Sequence, residues 1–229
     1  MNMSNTIRAA LAAMAATFAI SLAPAHADQI ANYTLDVCDA SQGNCNNAAN
    51  PYGTVGLDLS SNSKEITITV TPSSGDGFVN TSSGYALAFD FNCGGCQVSI
   101  GLPNNNSSDW SLCKGSCSAD GTGTWSYGID CKNACGTGGN KPLTSAITIT
   151  ITSTSNLSLS DFVSNSKNYL FGSDMCYGVS QTDTCSGKTG DNASDGKTPS
   201  IPEPMSLSLL GVGLVGMGFL RRRRAAVNH

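Results

Sequence analysis

Cysteine is the densest source of chemistry in this chain. Ten cysteines fall as five close neighbours: Cys38 with Cys45, Cys93 with Cys96, Cys113 with Cys117, Cys131 with Cys135, and Cys176 with Cys185. Thiols at such spacings can do three things. Cys93-Gly94-Gly95-Cys96 has the C-x-x-C spacing of thiol oxidoreductases. Redox catalysis there needs a helix start or a cation to lower the attacking thiol's pKa, and neither stands beside Cys93. Cys93, Cys96, Cys113 and Cys117 also have a spacing that a four-thiolate zinc site tolerates. The even total reads more simply as up to five disulfides in an oxidising compartment. Neighbour pairing is the plainest arrangement, although spacing leaves the connectivity open. Bridges across such short loops would mainly fix loop shape.

Other reactive groups are scarce between the ends. Both histidines (His26, His229) and all five arginines (Arg8, Arg221 to Arg224) lie in residues 1–27 or 201–229, so residues 28–200 contain neither type. That segment cannot build Ser-His-Asp or Cys-His nucleophiles, and zinc sites that use histidine are excluded as well. It carries seven lysines against fourteen aspartates and one glutamate, a net charge near −8, with no basic stripe for nucleic acid. No resident cofactor or metal is expected. Fourteen aspartates could supply a glycosidase-type pair, but nothing in the sequence selects one. Asp191, Asn192 and Asp195 lie in a Gly-containing loop that could touch calcium weakly, but the spacing does not match an EF-hand and solvated turn positions are the simpler reading. Trp110, Trp125 and Tyr127 could stack on sugar rings if exposed; packing in a core or against a disulfide is the alternative.

The elements that would hold these residues are strands. In Glu65 to Thr71 and Ile147 to Thr152, Ile or Val alternates with Thr at a period of two. In Tyr85 to Phe91, Tyr85, Leu87, Phe89 and Phe91 alternate with Ala86, Ala88 and Asp90, which predicts a third half-buried strand. Weaker strand signals cover 30–37, 53–59, 97–101, 124–129 and 169–178, with Gly, Pro and Asn turns between them. A short helix is expected to begin near Ser160. Some eight short strands without alternating helices predict an all-β domain over 28–185. An antiparallel β-sandwich, immunoglobulin-like or jelly-roll-like, with disulfide-stapled loops fits best. The six cysteines between Cys93 and Cys135 suggest a stapled insertion or loop face, and residues 186–200 read as a polar linker.

The ends read as addresses. Residues 1–27 have a positive start at Arg8, an apolar run from Ala9 to Ala23, and Ala25-His26-Ala27 with the small residues that signal peptidase requires. An N-terminal signal helix cleaved before Asp28 is expected. At the other end Pro202-Glu203-Pro204 precedes the uncharged run Met205 to Leu220 and then Arg221-Arg222-Arg223-Arg224. As a helix this run spans about 24 Å, somewhat short of a bilayer core of roughly 30 Å, and the arginines favour the cytoplasmic side. Gly211, Gly213 and Gly216 match G-x-G-x-x-G, but within a membrane-length apolar segment they cannot form a dinucleotide loop. Gly187-Lys188-Thr189 lacks the earlier glycine and the strand of a P-loop.

The tripartite tail resembles the PEP-CTERM sorting signal over residues 201–224, with 225–229 as the cytoplasmic end. That resemblance implies a transmembrane sorting helix, an inner-membrane exosortase that cuts near Pro202 to Pro204, and a Gram-negative host. It also implies Sec export and transient residence in the inner membrane. Gly77-Phe78-Val79-Asn80 ahead of Ala86-Leu87-Ala88-Phe89 resembles the β-rich domains that often precede such tails. The functional expectation is an exported, non-enzymatic protein of the cell surface or extracellular matrix, with exopolysaccharide as a further partner. The alternatives are a carbohydrate-binding module using Trp110, Trp125 and Tyr127, and an Asp-dependent polysaccharide hydrolase.

Overall fold

Thirteen strands account for nearly all regular structure in the computed structural model, which describes residues 29–38, 51–81, 84–119, 121–137, 140–179, 184–185 and 190–194. They are β1 (Gln29–Leu35), β2 (Val37–Cys38), β3 (Gly53–Leu59), β4 (Glu65–Pro72), β5 (Asp76–Phe78), β6 (Leu87–Phe91), β7 (Val98–Gly101), β8 (Trp110–Ala119), β9 (Gly123–Cys131), β10 (Ile147–Ser153), β11 (Phe162–Val163), β12 (Phe171–Tyr177) and β13 (Gly190–Ser194). The first sheet has the order β1-β3-β4-β10-β7, and the second β2-β13-β12-β6-β9-β8, with β11 beside β6 and β5 beside β12. Every strand pair is antiparallel. The expected all-β class with two antiparallel sheets is therefore present.

Alternation explains which faces meet. Ile66, Ile68 and Val70 of β4 and Ile147, Ile149 and Ile151 of β10 point inward, in register at Ile66 with Ile151, Ile68 with Ile149 and Val70 with Ile147. Opposite them come Leu87, Phe89, Ile129, Phe171 and Met175 from the second sheet, all buried in the same core. An aromatic contact ties the layers, Tyr33 of β1 lying 5.2 Å from Phe171 of β12 between ring centroids, while Phe162 of β11, 5.0 Å from Phe91 and 5.3 Å from Phe171, packs within the second sheet. Each fully buried Ile, Leu or Phe contributes about 1.5–3 kcal/mol of hydrophobic stabilisation before entropy is counted.

A second, smaller cluster occupies the other side of the second sheet. Ala88, Cys117, Ala119 and Trp125 are buried there, with Tyr85, Cys113 and Tyr169 packed against them. The expected one-sided alternation from Tyr85 to Phe91 is corrected accordingly. Strand β6 is central and buried on both faces, and Tyr85 packs with Ala88 instead of with Leu87 and Phe89. Residues 93–135 are not an insertion either, since they supply β7, β8 and β9, integral strands of both sheets. Within the expected linker, residues 190–194 form β13, which pairs with β12 and β2. The helix expected near Ser160 is a single 3-10 turn, Leu159–Asp161, started by a capping box in which Asp161 accepts the Ser158 N–H at 2.9 Å.

The described strands belong to a compact unit running from Asp28 to Pro202. Among the described residues no helix is long and apolar enough to cross a membrane. The expected signal segment 1–27, the Pro202-Glu203-Pro204 box, the apolar run and Arg221 to Arg224 lie outside the described residues.

Candidate functional site

Four of the five expected cysteine pairs stand at bridging distance. Cα separations are 5.5 Å for Cys93–Cys96, 5.9 Å for Cys113–Cys117, 5.6 Å for Cys131–Cys135 and 5.9 Å for Cys176–Cys185. Cys45 lies outside the described residues, so the Cys38–Cys45 pair does too. Cys93-Gly94-Gly95-Cys96 occupies the turn from β6 to β7, with Gly94 at φ 67° and Gly95 at φ 94°. Two consecutive positive φ values favour glycine, which has no Cβ to strain, and the turn offers none of the helix N–H groups that activate a thiol. Cys93 and Cys96 pack against the main core while Cys113 and Cys117 belong to the outer cluster, so the four thiols do not converge on one point. Among the described residues no group of three or more His, Cys, Asp or Glu is placed to hold a metal.

The Cys113–Cys117 bridge shapes its strand. Residues four apart in an extended strand are about 13 Å apart, more than twice the observed 5.9 Å. The chain makes up the difference with a bulge: β8 loses register with β9 between Lys114 and Cys117, where Gly115 takes φ 99°. The Ser126 N–H, opposite the bulge, donates instead to the Asp90 carboxylate.

The bulge also decides the fate of the aromatics. Trp110 (3% exposed) faces the main core, whereas Trp125 (1% exposed) faces the outer cluster, where its Nε1 donates to Thr122 Oγ1 at 3.4 Å. Tyr127 is half-buried and stacks on Phe89, with centroids 5.4 Å apart. The two indoles thus lie buried on opposite faces of one sheet, and neither offers a ring to a sugar. Of the two readings weighed for Trp110, Trp125 and Tyr127, packing is the one that the burial of both indoles supports, and the alternative of a sugar-stacking platform on Trp110 and Trp125 is corrected.

Sequence inspection missed a buried carboxyl. Asp174 in β12 is 1% exposed, accepts a hydrogen bond from the Thr81 hydroxyl, and donates its backbone N–H to Tyr85 O at 2.7 Å. Burial pushes its pKa up to about 6; the Thr81 bond opposes the shift and the nearby Asp130 charge adds to it. Asp130 itself accepts from Ser111 Oγ at 3.3 Å. Burial also raises Asp76 to about 6, against a backbone hydrogen bond from Gly178 that lowers it. A raised carboxyl pKa can mark a general acid. Asp174, however, has almost no surface from which to reach a substrate. The only signal in the sequence was one aspartate within a strand otherwise made of apolar and small residues, Phe171-Gly172-Ser173-Asp174-Met175-Cys176.

A shallow depression of about 180 Å³ is bounded by Pro103, Asn104, Asn106, Asp109, Trp110 and Ile147. Its polar groups are engaged by their own loop. Asn106 Oδ1 accepts from Ser108 N at 3.0 Å and from Ser108 Oγ at 2.6 Å, and Asn106 Nδ2 donates to Asp109 at 2.6 Å. The Asp109 carbonyl accepts the N–H groups of Lys132, Asn133 and Ala134. The arrangement fastens the β7–β8 loop to the end of β9. Of the residues considered for calcium, Asp191 and Asn192 fall in β13, and Asp195 lies outside the described residues.

No protein-family model matches the chain, and no curated protein and no solved structure shows significant similarity to it.

Proposed function

We propose that this is an exported, non-enzymatic component of the cell surface or extracellular matrix. In this reading it is led out by the signal segment ending at Ala27 and processed at its Pro202-Glu203-Pro204 tail by an exosortase. The observation that carries the reading is the pairing of Cys93, Cys96, Cys113, Cys117, Cys131, Cys135, Cys176 and Cys185 at bridging distance. Thiols so placed oxidise in an extracytoplasmic compartment and stay reduced in a cytosol. The buried tryptophans and the buried Asp174 support a role in which the fold itself is the product.

The test is intact-mass measurement of the native protein, with alkylation before and after reduction, in host fractions with and without exosortase. The expected product lacks residues 1–27 and the segment from near Pro202 onward, and takes up alkylating reagent only after reduction. A full-length chain in the cytosolic fraction with freely alkylated thiols would refute the reading. Retention of the tail in a host with active exosortase would reduce the tail to an anchor.

A further inference from the structure

The face of the first sheet that points away from the core is built largely of threonine. Thr34 of β1, Thr54 of β3, Thr67, Thr69 and Thr71 of β4, and Thr148, Thr150 and Thr152 of β10 are all exposed or half-exposed. The strand registers place them in rows: Thr34 beside Thr54 and Thr54 beside Thr71; Thr69 beside Thr148; Thr67 beside Thr150. Along each strand successive outward residues repeat every ~6.8 Å, and across strands every ~4.8 Å. The result is a rectangular net of hydroxyl and methyl groups. Asp58 and Glu65 are its charges, and both lie toward one end of the strands.

A single exposed hydroxyl that exchanges water for another partner gains little. A net gains only from a partner that repeats at the same intervals, because then every bond forms at once. The β-branched threonines, stiff at χ1, have little rotamer freedom left to lose. A polysaccharide chain is recognised chiefly by stacking on aromatic rings, and this face carries none. Ice is the fitting partner. It is an uncharged lattice of donors and acceptors, it excludes ions, and its oxygen rows have spacings close to those of a strand net. We propose that the threonine face of the first sheet binds ice. Sheet twist, about 20–25° per strand, confines the matched area to β4 and β10. Thr67, Thr69, Thr148 and Thr150 form its centre, and the expected activity is adsorption to ice and restraint of recrystallisation.

The test is partition of the full-length protein into slowly grown ice, beside Thr148→Lys, Thr69→Ser and a control, Thr124→Lys, at an exposed position on the second sheet. The melting temperature of each variant is measured to show that it folds. The unaltered protein and Thr124→Lys should be enriched in ice relative to a non-binding protein. Thr148→Lys should lose roughly tenfold of that adsorption, equivalent to about 1.4 kcal/mol, and Thr69→Ser should lose part of it. If Thr148→Lys does not fold, Thr71→Lys, also exposed, replaces it. Exclusion of the unaltered protein from ice would overturn the proposal. So would equal partition of Thr148→Lys and Thr124→Lys, or adsorption to insoluble chitin or cellulose, lost in Thr148→Lys, without adsorption to ice.

Discussion

Replacing Asp174 with Asn should stabilise the protein at neutral pH, and the structure gives the size of the effect. The folded-state pKa is about 6 against an ordinary 3.8. Between those values the folded chain holds a proton that the unfolded chain has released, so stability falls as pH rises from about 4 to about 6 and then stays level. The displacement of roughly two units corresponds to about 3 kcal/mol of stability lost above pH 6. Asn is neutral throughout and still accepts from the Thr81 hydroxyl, though through a weaker bond than a carboxylate makes. A net gain of about 2 kcal/mol at pH 7 is therefore expected, or roughly 4–8 °C in melting temperature for a domain of this size. At pH 4 the two proteins should melt within about 1 °C of each other. Scanning calorimetry from pH 4 to 8 under non-reducing conditions measures both. If unaltered protein shows no decline between pH 4 and 6, or if Asp174→Asn is less stable at pH 7 and keeps the same pH profile, the carboxyl is not held protonated and the reasoning fails.

Further outcomes are expected elsewhere in the fold. Opening the Cys113–Cys117 bridge with a double Ser substitution should cost on the order of 2 kcal/mol, and hydrogen exchange should show faster exchange from Cys117 to Ala119 while the first sheet is unchanged. Trp125→Ala should cost about 3–5 kcal/mol by emptying the outer cluster, read as a lower denaturant midpoint; an unchanged midpoint would contradict its burial. Gly128→Ala would bring a Cβ to 2.7 Å from the Tyr85 ring. It should destabilise by about 1–3 kcal/mol, and a double-mutant cycle with Tyr85→Ala should recover most of that loss.

Strands β4 and β10 could be read from the sequence because each is half-exposed: Ile or Val on one side and Thr on the other is what a sheet between core and water requires. The end of β6 misled for the opposite reason. A strand covered on both faces has no polar side, and Tyr85 just before it joined the outer cluster. Strand β8 escaped notice because Cys113-Lys114-Gly115-Ser116-Cys117 resembles a loop, and the bulge that makes it a strand depends on a disulfide and on pairing with β9, both non-local. Strand β13 was hidden in the same way, since its polar residues pair through the backbone with β12 and β2. Neighbour pairing of the cysteines was the plainest arrangement in the sequence, but the connectivity stayed open until four of the pairs stood at bridging distance. The burial of Trp110 and Trp125 was not, because an indole in a Gly- and Ser-rich segment looks the same whether it faces sugar or core. Asp174 could be recognised only once Thr81, Tyr85 and Asp130 were gathered around it.

Among the described residues the four bridges join positions only 3, 4, 4 and 9 apart, and none of these four links a strand of one sheet to a strand of the other. Under a pulling force they withhold little contour from extension, so the covalent network does not limit how far the chain can be drawn out. Resistance to tension then rests on strand pairing and on the apolar contact between layers. Reduction would loosen individual turns while leaving the force that separates the sheets nearly unchanged. A fold clamped in this way keeps its contours while remaining extensible, a mechanical character set by where the sulfurs pair more than by how many there are.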